Sequence, residues 1–223
     1  LVLGGGSNVV IADAGFDGTV VLVRTRGVER RGGELVVQAG EPWDDLVAAT
    51  VADGLAGIEA LSGIPGLAGA TPIQNVGAYG QEVSATIASV RVFDRRRDTV
   101  EELPASACGF RYRTSAFKGR DDRIVLSVRF ALRDANAAGA RGERALGEPI
   151  AYAELARALG VAVGARAPLR EVREAVLALR RRKGMVVDPG DPDSVSAGSF
   201  FTNPILGRAA FDALVARAAQ LGE

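Results

Sequence analysis

Residues 64–80, IPGLAGATPIQNVGAYG, cross a turn-rich region without one charged side chain. Gly66, Ala68, Gly69, Ala70, Gly77, Ala78 and Gly80 carry little or no side chain there, so uncovered backbone N–H groups are expected. Uncovered N–H groups can form an anion-binding concavity, and glycine lets a ligand approach the backbone closely. Gln74, Asn75 and Tyr79 add directional polar groups, while Pro65 and Pro72 stiffen the path. Such a surface suits a large, flat, phosphate-bearing cofactor. Read alone, it equally suits a glycine-rich loop between core elements.

Two further stretches carry candidate chemistry. CGFRYRTSAFKG, residues 108–119, sets three aromatics among cations; alone, it also reads as an amphipathic strand with solvated arginines. SAGSFFTNP, residues 196–204, holds Ser199 between a glycine and two phenylalanines. A hydroxyl fixed in a dry aromatic pocket can deliver a proton to a reactive carbanion. The same pattern serves as a turn serine beside core phenylalanines. Histidine is absent and Cys108 is the single cysteine, which argues against a zinc site and a Ser-His-Asp triad; no metal is expected. Proton transfer falls to Ser, Tyr, Lys, Arg, Asp, Glu or water, and redox chemistry to a bound cofactor.

The elements that must position these groups follow from apolar spacing. Residues 1–3 read as a buried strand entering a turn at Gly4, Gly5, Gly6, Ser7 and Asn8, with a second apolar strand over residues 9–12. Strand, glycine turn and strand make a phosphate cradle. The Rossmann pattern fails because Val9 stands where its third glycine would be, and the Walker pattern lacks its lysine. TVVLV and ELVVQA, between residues 19 and 39, are short strands. Trp43, Leu46, Val47 and Val51 share one face of a helix over residues 43–53, stopped by Gly54. Residues 90–93 and 99–103 pair across DRRRD, and Ile124, Leu126, Val128, Phe130 and Leu132 alternate along a half-buried strand. Residues 134–149 loosen into a mobile connector. Leu169, Val172, Val176 and Leu179 form the buried stripe of a helix over residues 168–183. Its terminal RRRK sits where the helix dipole favours cations, with Lys183 placed to reach a site. A last helix over residues 208–221 is expected to bury Phe211, Leu214, Val215 and Ala218.

The composition fits a substantial core with more than one lobe: 223 residues, 48% hydrophobic and 24% charged. Lys plus Arg balance Asp plus Glu at 27 each, so no global charge favours nucleic acid or an anionic membrane. One cysteine precludes an internal disulfide, and no run is long enough to span a bilayer. A soluble, cytoplasmic protein is the expectation.

In order, GGGSN, IPGLAGATPIQNVGAYG, CGFRYRTSAFK and LRRRKGMVVDPGDPDSVSAGSFFTNP closely resemble the UDP-N-acetylenolpyruvoylglucosamine reductase (MurB) family. The resemblance covers essentially the whole chain, loosening over residues 134–149. It implies an α+β, two-lobed FAD-binding fold with an incomplete α/β substrate-binding lobe. Residues 1–26 would be a remnant of the first FAD lobe, 27–184 the second, and 185–223 the start of the substrate lobe. The implied reaction is NADPH-dependent, FAD-mediated reduction of the enolpyruvyl group of a UDP-sugar, which makes UDP-N-acetylmuramate for peptidoglycan.

By the same resemblance, Gly4, Gly5, Gly6, Ser7 and Asn8 match the turn that holds the FAD pyrophosphate. Gly66, Ala70, Thr71, Pro72, Asn75, Gly77 and Tyr79 match the wall along diphosphate and flavin. Arg113 matches the arginine that stabilises the enolate, and Ser199 the serine that protonates the adjacent carbon. Tyr152, Lys183 and Asn203 match substrate-binding positions. The partner is a small-molecule UDP-sugar, with neither nucleic acid nor membrane, and a monomer is favoured. The family's further catalytic glutamate belongs to a segment after Glu223, and part of the first lobe to a segment before Leu1. The expectation is therefore a chain cut at both ends, with impaired catalysis. The rivals are another flavin oxidase or dehydrogenase of the superfamily and a non-catalytic flavin-binding remnant.

Overall fold

Alternating apolar residues lay down an antiparallel sheet, and a helix with an apolar face covers it. The computed structural model describes residues 1–31, 33–136, 141–194, 196 and 201–221. Strands β1 (Val2–Leu3) and β2 (Val21–Leu22) pair in parallel and only with each other. A hairpin follows, β3 (Val28–Arg31) and β4 (Glu34–Gln38), then helix α1 (Trp43–Ala52) and the short β5 (Leu55–Ala56). The uncharged loop ends in a small hairpin, β6 (Gly77–Ala78) and β7 (Gln81–Glu82). Next come β8 (Ile87–Asp94), β9 (Thr99–Pro104), β10 (Arg123–Ala131) and β11 (Arg133–Asp134), which pairs with β5. Helices α2 (Ala153–Leu159), α3 (Leu169–Arg182) and α4 (Arg208–Leu221) complete the described elements. The main sheet has five strands in the order β3-β4-β10-β8-β9, antiparallel throughout.

Leu35 and Val37 of β4, Val90 and Val92 of β8, and Val128 and Phe130 of β10 form one core with Trp43, Leu46, Val47 and Val51 of α1. Trp43 fits because its indole N–H is satisfied, donating to the Leu61 carbonyl over 3.1 Å. Each such side chain contributes roughly 1.5–3 kcal/mol by leaving water. A second cluster joins Leu155 and Ala156 of α2 to Val172, Val176 and Leu179 of α3, the stripe expected from sequence. Gly54 stops α1 with φ of +73°.

Four expectations are corrected. The alternation along β10 breaks, because a register shift between Val125 and Ser127 buries Val125 and leaves Leu126 half-buried. A bulge sets an extra residue against the partner strand and reverses the facing before it. Residues 1–3 are not a buried strand: Leu1 and Val2 are exposed, since among the described residues β1 and β2 form a two-stranded ribbon apart from the main sheet, and residues 9–12 form no strand. On α4, Phe211, Leu214 and Val215 are exposed and Ala218 is half-buried, because no described element covers that face. Finally, the described part of the 134–149 connector is tied down. The buried Glu59 carboxylate accepts the N–H groups of Gly57 and Glu148, each over 2.6 Å. Arg133 Nη2 donates to the carbonyls of Leu146 and Gly147, over 2.8 and 2.9 Å.

Candidate functional site

The fold brings the glycine turn against the uncharged loop. Ser7 Oγ donates to the Pro65 carbonyl over 3.4 Å, and Asn8 Nδ2 to Gln74 Oε1 over 3.1 Å. The contact is backbone to backbone: a Cβ on Gly5 would lie 3.4 Å from Gly66 Cα. Gly66 itself has φ of +111°, and a Cβ there would lie 2.9 Å from Ser7 Oγ. Among the described residues, the N–H groups of Gly4, Gly5, Gly6, Ser7 and Asn8 meet no carbonyl or side-chain acceptor. The N–H groups of residues 9–14 likewise meet none among the described residues, and open N–H groups can hold an anion where they converge.

Along the loop itself the expectation of uncovered N–H groups is corrected at Ala68, Gly69 and Ala70, while the N–H groups of Gly66 and Gly80 meet no acceptor among the described residues. Ala68 and Gly69 donate to the carbonyls of Glu41 and Ala39, over 2.8 and 2.9 Å. Ala70, Thr71 and Val76 donate to Leu67, Ala68 and Thr71, over 3.0, 3.1 and 3.0 Å. Turn-forming small residues there close their own hydrogen bonds, so the loop acts as a stiff wall, with the run of open donors on the turn opposite. Thr71 and Asn75 are buried in that wall. The Thr71 hydroxyl donates to the Ala68 carbonyl over 2.8 Å. Asn75 Nδ2 donates to Glu82 Oε2 over 2.8 Å and to the Arg111 carbonyl over 3.1 Å, and its Oδ1 accepts the Ser84 N–H over 3.1 Å. Both side chains therefore set the loop's shape.

A cavity of about 520 Å³ opens beside the turn, walled by Gly4, Leu67, Ala70 and Ile73 on one side and Phe117 and Val125 on the other. Arg123 also lines it, with a buried Nε that has no partner among the described residues. The cavity's volume, apolar walls and the cations Arg95, Arg120 and Arg123 fit part of a phosphate-bearing dinucleotide; Gly4 brings the turn to the lining, and Asp121 adds a carboxylate there.

Arg113 reaches the wall from a tight loop closed by reciprocal hydrogen bonds between Arg111 and Thr114, each 3.1 Å. Its Nη2 donates to the Gly77 carbonyl over 2.6 Å and its Nη1 to the Asn75 carbonyl over 3.4 Å, with Glu82 Oε1 at 3.8 Å. Asn75, Tyr79 and Arg113 all have positive φ, at 46°, 48° and 53°. Non-glycine residues adopt this region at a cost of about 1–3 kcal/mol each, and such strain clusters at functional sites.

Tyr79, read from sequence as part of the cofactor wall, also joins the substrate candidates. Its ring stands edge-on to Tyr152, with centroids 5.8 Å apart, and Lys183 Nζ lies 5.8 Å from its centroid. Burial pushes the Tyr79 hydroxyl pKa up, with the Lys183 ammonium opposing. Lys183 Nζ donates to Glu154 Oε2 over 2.8 Å, a hydrogen bond that raises the ammonium's pKa. Asn203 is exposed and has no hydrogen bond among the described residues. Ser199 lies outside the described residues. Sequence reasoning passed over Glu82 and Glu154, although each follows a singled-out tyrosine by two or three positions.

Comparison with known proteins shows what the arrangement resembles. Residues 1–103 match the FAD binding domain family. The UDP-N-acetylenolpyruvoylglucosamine reductase of Salinispora arenicola is 58% identical over 228 residues, covering 100% of this chain and 60% of that protein. Over essentially its whole length the chain is similar to UDP-N-acetylenolpyruvoylglucosamine reductases. The reductase of Thermobifida fusca is 54% identical, covering 99% of this chain and 61% of its own length. The crystal structure of the MurB reductase of Thermus caldophilus matches with a TM-score of 0.60 and 25% identity, over 96% of this chain and 65% of that one. The chain has the α+β FAD-binding fold of these reductases, and spans about 60% of the length of the curated relatives it matches. Among the described residues, no helix is long and apolar enough to cross a membrane, and no His, Cys, Asp and Glu group could hold a metal.

Proposed function

We propose that this chain carries the FAD site and part of the substrate site of an NADPH-dependent reductase. The reaction reduces the enolpyruvyl group of UDP-N-acetylglucosamine enolpyruvate to UDP-N-acetylmuramate, a cytoplasmic step toward peptidoglycan. The observation that carries this reading is the meeting of the open N–H donors at residues 4–8 with a wall that also seats Arg113. Residues 1–26 and 27–184 would hold the cofactor between them, and residues 185–223 would begin the substrate lobe. A monomer with a UDP-sugar as its small-molecule partner completes the proposal.

The backbone of Gly4, Gly5, Gly6, Ser7 and Asn8 would hold the FAD pyrophosphate, while the loop with Gly66, Ala70, Thr71, Pro72, Asn75, Gly77 and Tyr79 lies along it. Bound there, FAD supplies the hydride chemistry that no side chain offers. Arg113 would present a permanent positive charge where the enolate develops, which is stabilisation at the place the charge appears. The Ser199 hydroxyl would deliver the proton, and a strongly basic enolate carbon accepts it from a neutral donor. Tyr152 would close over the substrate, while Lys183 and Asn203 would hold it where a cation and an amide suit diphosphate and uridine.

The test is Ser199→Ala. It should leave flavin bleaching by NADPH intact and slow the substrate-driven return of colour by at least tenfold. Loss of both half-reactions together would remove the proton-donor role.

A further inference from the structure

The β6–β7 hairpin has two central turn residues with positive φ, Tyr79 at 48° and Gly80 at 85°. This is the backbone of a two-residue hairpin turn that fixes strand register. In that register Gly77 is the cross-strand partner of Glu82. The Gly77 carbonyl takes Arg113 Nη2 at 2.6 Å, and Glu82 Oε1 faces Nη1 at 3.8 Å. The other Glu82 oxygen accepts Asn75 Nδ2 over 2.8 Å, and the Asn75 carbonyl accepts Arg113 Nη1 over 3.4 Å. Two neutral carbonyls, the second at 3.4 Å, hold the guanidinium but leave its charge unbalanced. A carboxylate across the strand adds the charged partner that tightens this hold.

We propose that Glu82 is the positioning residue for Arg113, using one oxygen to brace Asn75 and the other to aim the guanidinium. The inference rests on the function proposed above for Arg113. Glu82 need not touch substrate; it acts through the arginine. The half-buried setting, with side chains 28% and 37% exposed, keeps water from fully screening the pair.

Glu82→Gln separates aim from fold, because the amide oxygen still accepts from Asn75 while the charge is gone. In the full chain, this variant should retain FAD and be bleached by NADPH within twofold of the parent. Reoxidation by saturating enolpyruvyl sugar nucleotide should slow by about tenfold or more, with substrate affinity little changed, as displacement of a catalytic group predicts. Glu82→Asp, which keeps the charge, should recover part of the rate. Nitrogen-15 NMR of the guanidinium, assigned by loss of the signal in Arg113→Lys, gives a readout independent of turnover. The two Nη signals should be distinct in the parent and averaged in Glu82→Gln. Distinct signals and an unchanged rate in Glu82→Gln would overturn the inference, as would loss of FAD in that variant. If the parent is never reoxidised by substrate, the proposed function fails, and the Nη signals alone decide the positioning role.

Discussion

The Arg113 guanidinium donates to the Gly77 carbonyl over 2.6 Å, and Gly77 has no room beside it for a methyl group. A Cβ there would lie 2.8 Å from Arg113 Nη1, the Gln81 carbonyl oxygen and Glu82 Cγ. Gly77→Ala should therefore unseat the arginine. The substrate-driven half-reaction should slow by about a hundredfold, the cost of moving a catalytic group by roughly an ångström. Because Gly77 is also proposed to lie along the cofactor, the flavin-to-protein ratio should fall as well; an unchanged substrate-driven rate would contradict the seating of Arg113 on Gly77.

Gly66 makes the corresponding prediction for the cofactor end. Its φ of +111° and the 2.9 Å approach of a Cβ to Ser7 Oγ make alanine doubly unfavourable. Gly66→Ala should destabilise the protein by about 1–3 kcal/mol and lower the flavin-to-protein ratio after purification. An unchanged ratio would separate the wall from the phosphate turn.

Tyr152 and Lys183 should report on substrate rather than cofactor. Tyr152→Phe and Lys183→Gln should each weaken binding of the UDP-sugar in calorimetry by about tenfold, equivalent to about 1.4 kcal/mol, with flavin content unchanged. Lys183→Gln should also flatten the salt dependence. Equal affinity in both variants would reduce the cluster to packing.

Asp44 predicts an acid-sensitive tie between α1 and α3. Burial raises its pKa, but the two-pronged Arg173 contact, at 2.6 and 2.9 Å, and the Gly63 N–H outweigh burial and leave it below its ordinary value. A carboxyl lowered in the folded state stabilises fully above its unfolded pKa, about 3.9, and loses that contribution as pH falls through its folded value. Arg173→Ala should cost about 1 kcal/mol at pH 7, a modest figure because Asp44 is partly exposed. The difference in urea midpoint between parent and variant should shrink below pH 4. A constant difference would mean that the pair does not titrate with folding.

Cys108 should be inert. It is buried with its thiol toward the Leu103 and Pro104 carbonyls, and burial pushes its pKa up to about 11. Iodoacetamide at pH 8 should label it only in urea, while fast labelling of the native protein would contradict this packing.

What was legible in the sequence was local. The spacing of Trp43, Leu46, Val47 and Val51 announces α1, and that of Leu169, Val172, Val176 and Leu179 announces α3, because a single element sets each pattern. The β10 bulge was hidden, since pairing with β8 creates it. The anchoring of Glu148 by Glu59 was hidden too, because the partners stand 89 positions apart. Tyr79 read as wall alone, yet the turn it shares with Gly80 brings it to Tyr152. The expected burial on α4 failed because periodicity marks an apolar face without saying what covers it.

The most direct test of the proposed function is an anaerobic visible spectrum of the purified chain with FAD, taken before NADPH, after it, and after the enolpyruvyl sugar nucleotide. The account predicts flavin absorbance that bleaches with NADPH and returns with the sugar nucleotide, more slowly than in a full-length relative. Flavin that bleaches and stays bleached would contradict the proposed substrate reaction in this chain, and a chain that takes up no flavin would contradict the cofactor site at residues 4–8 and 66–79.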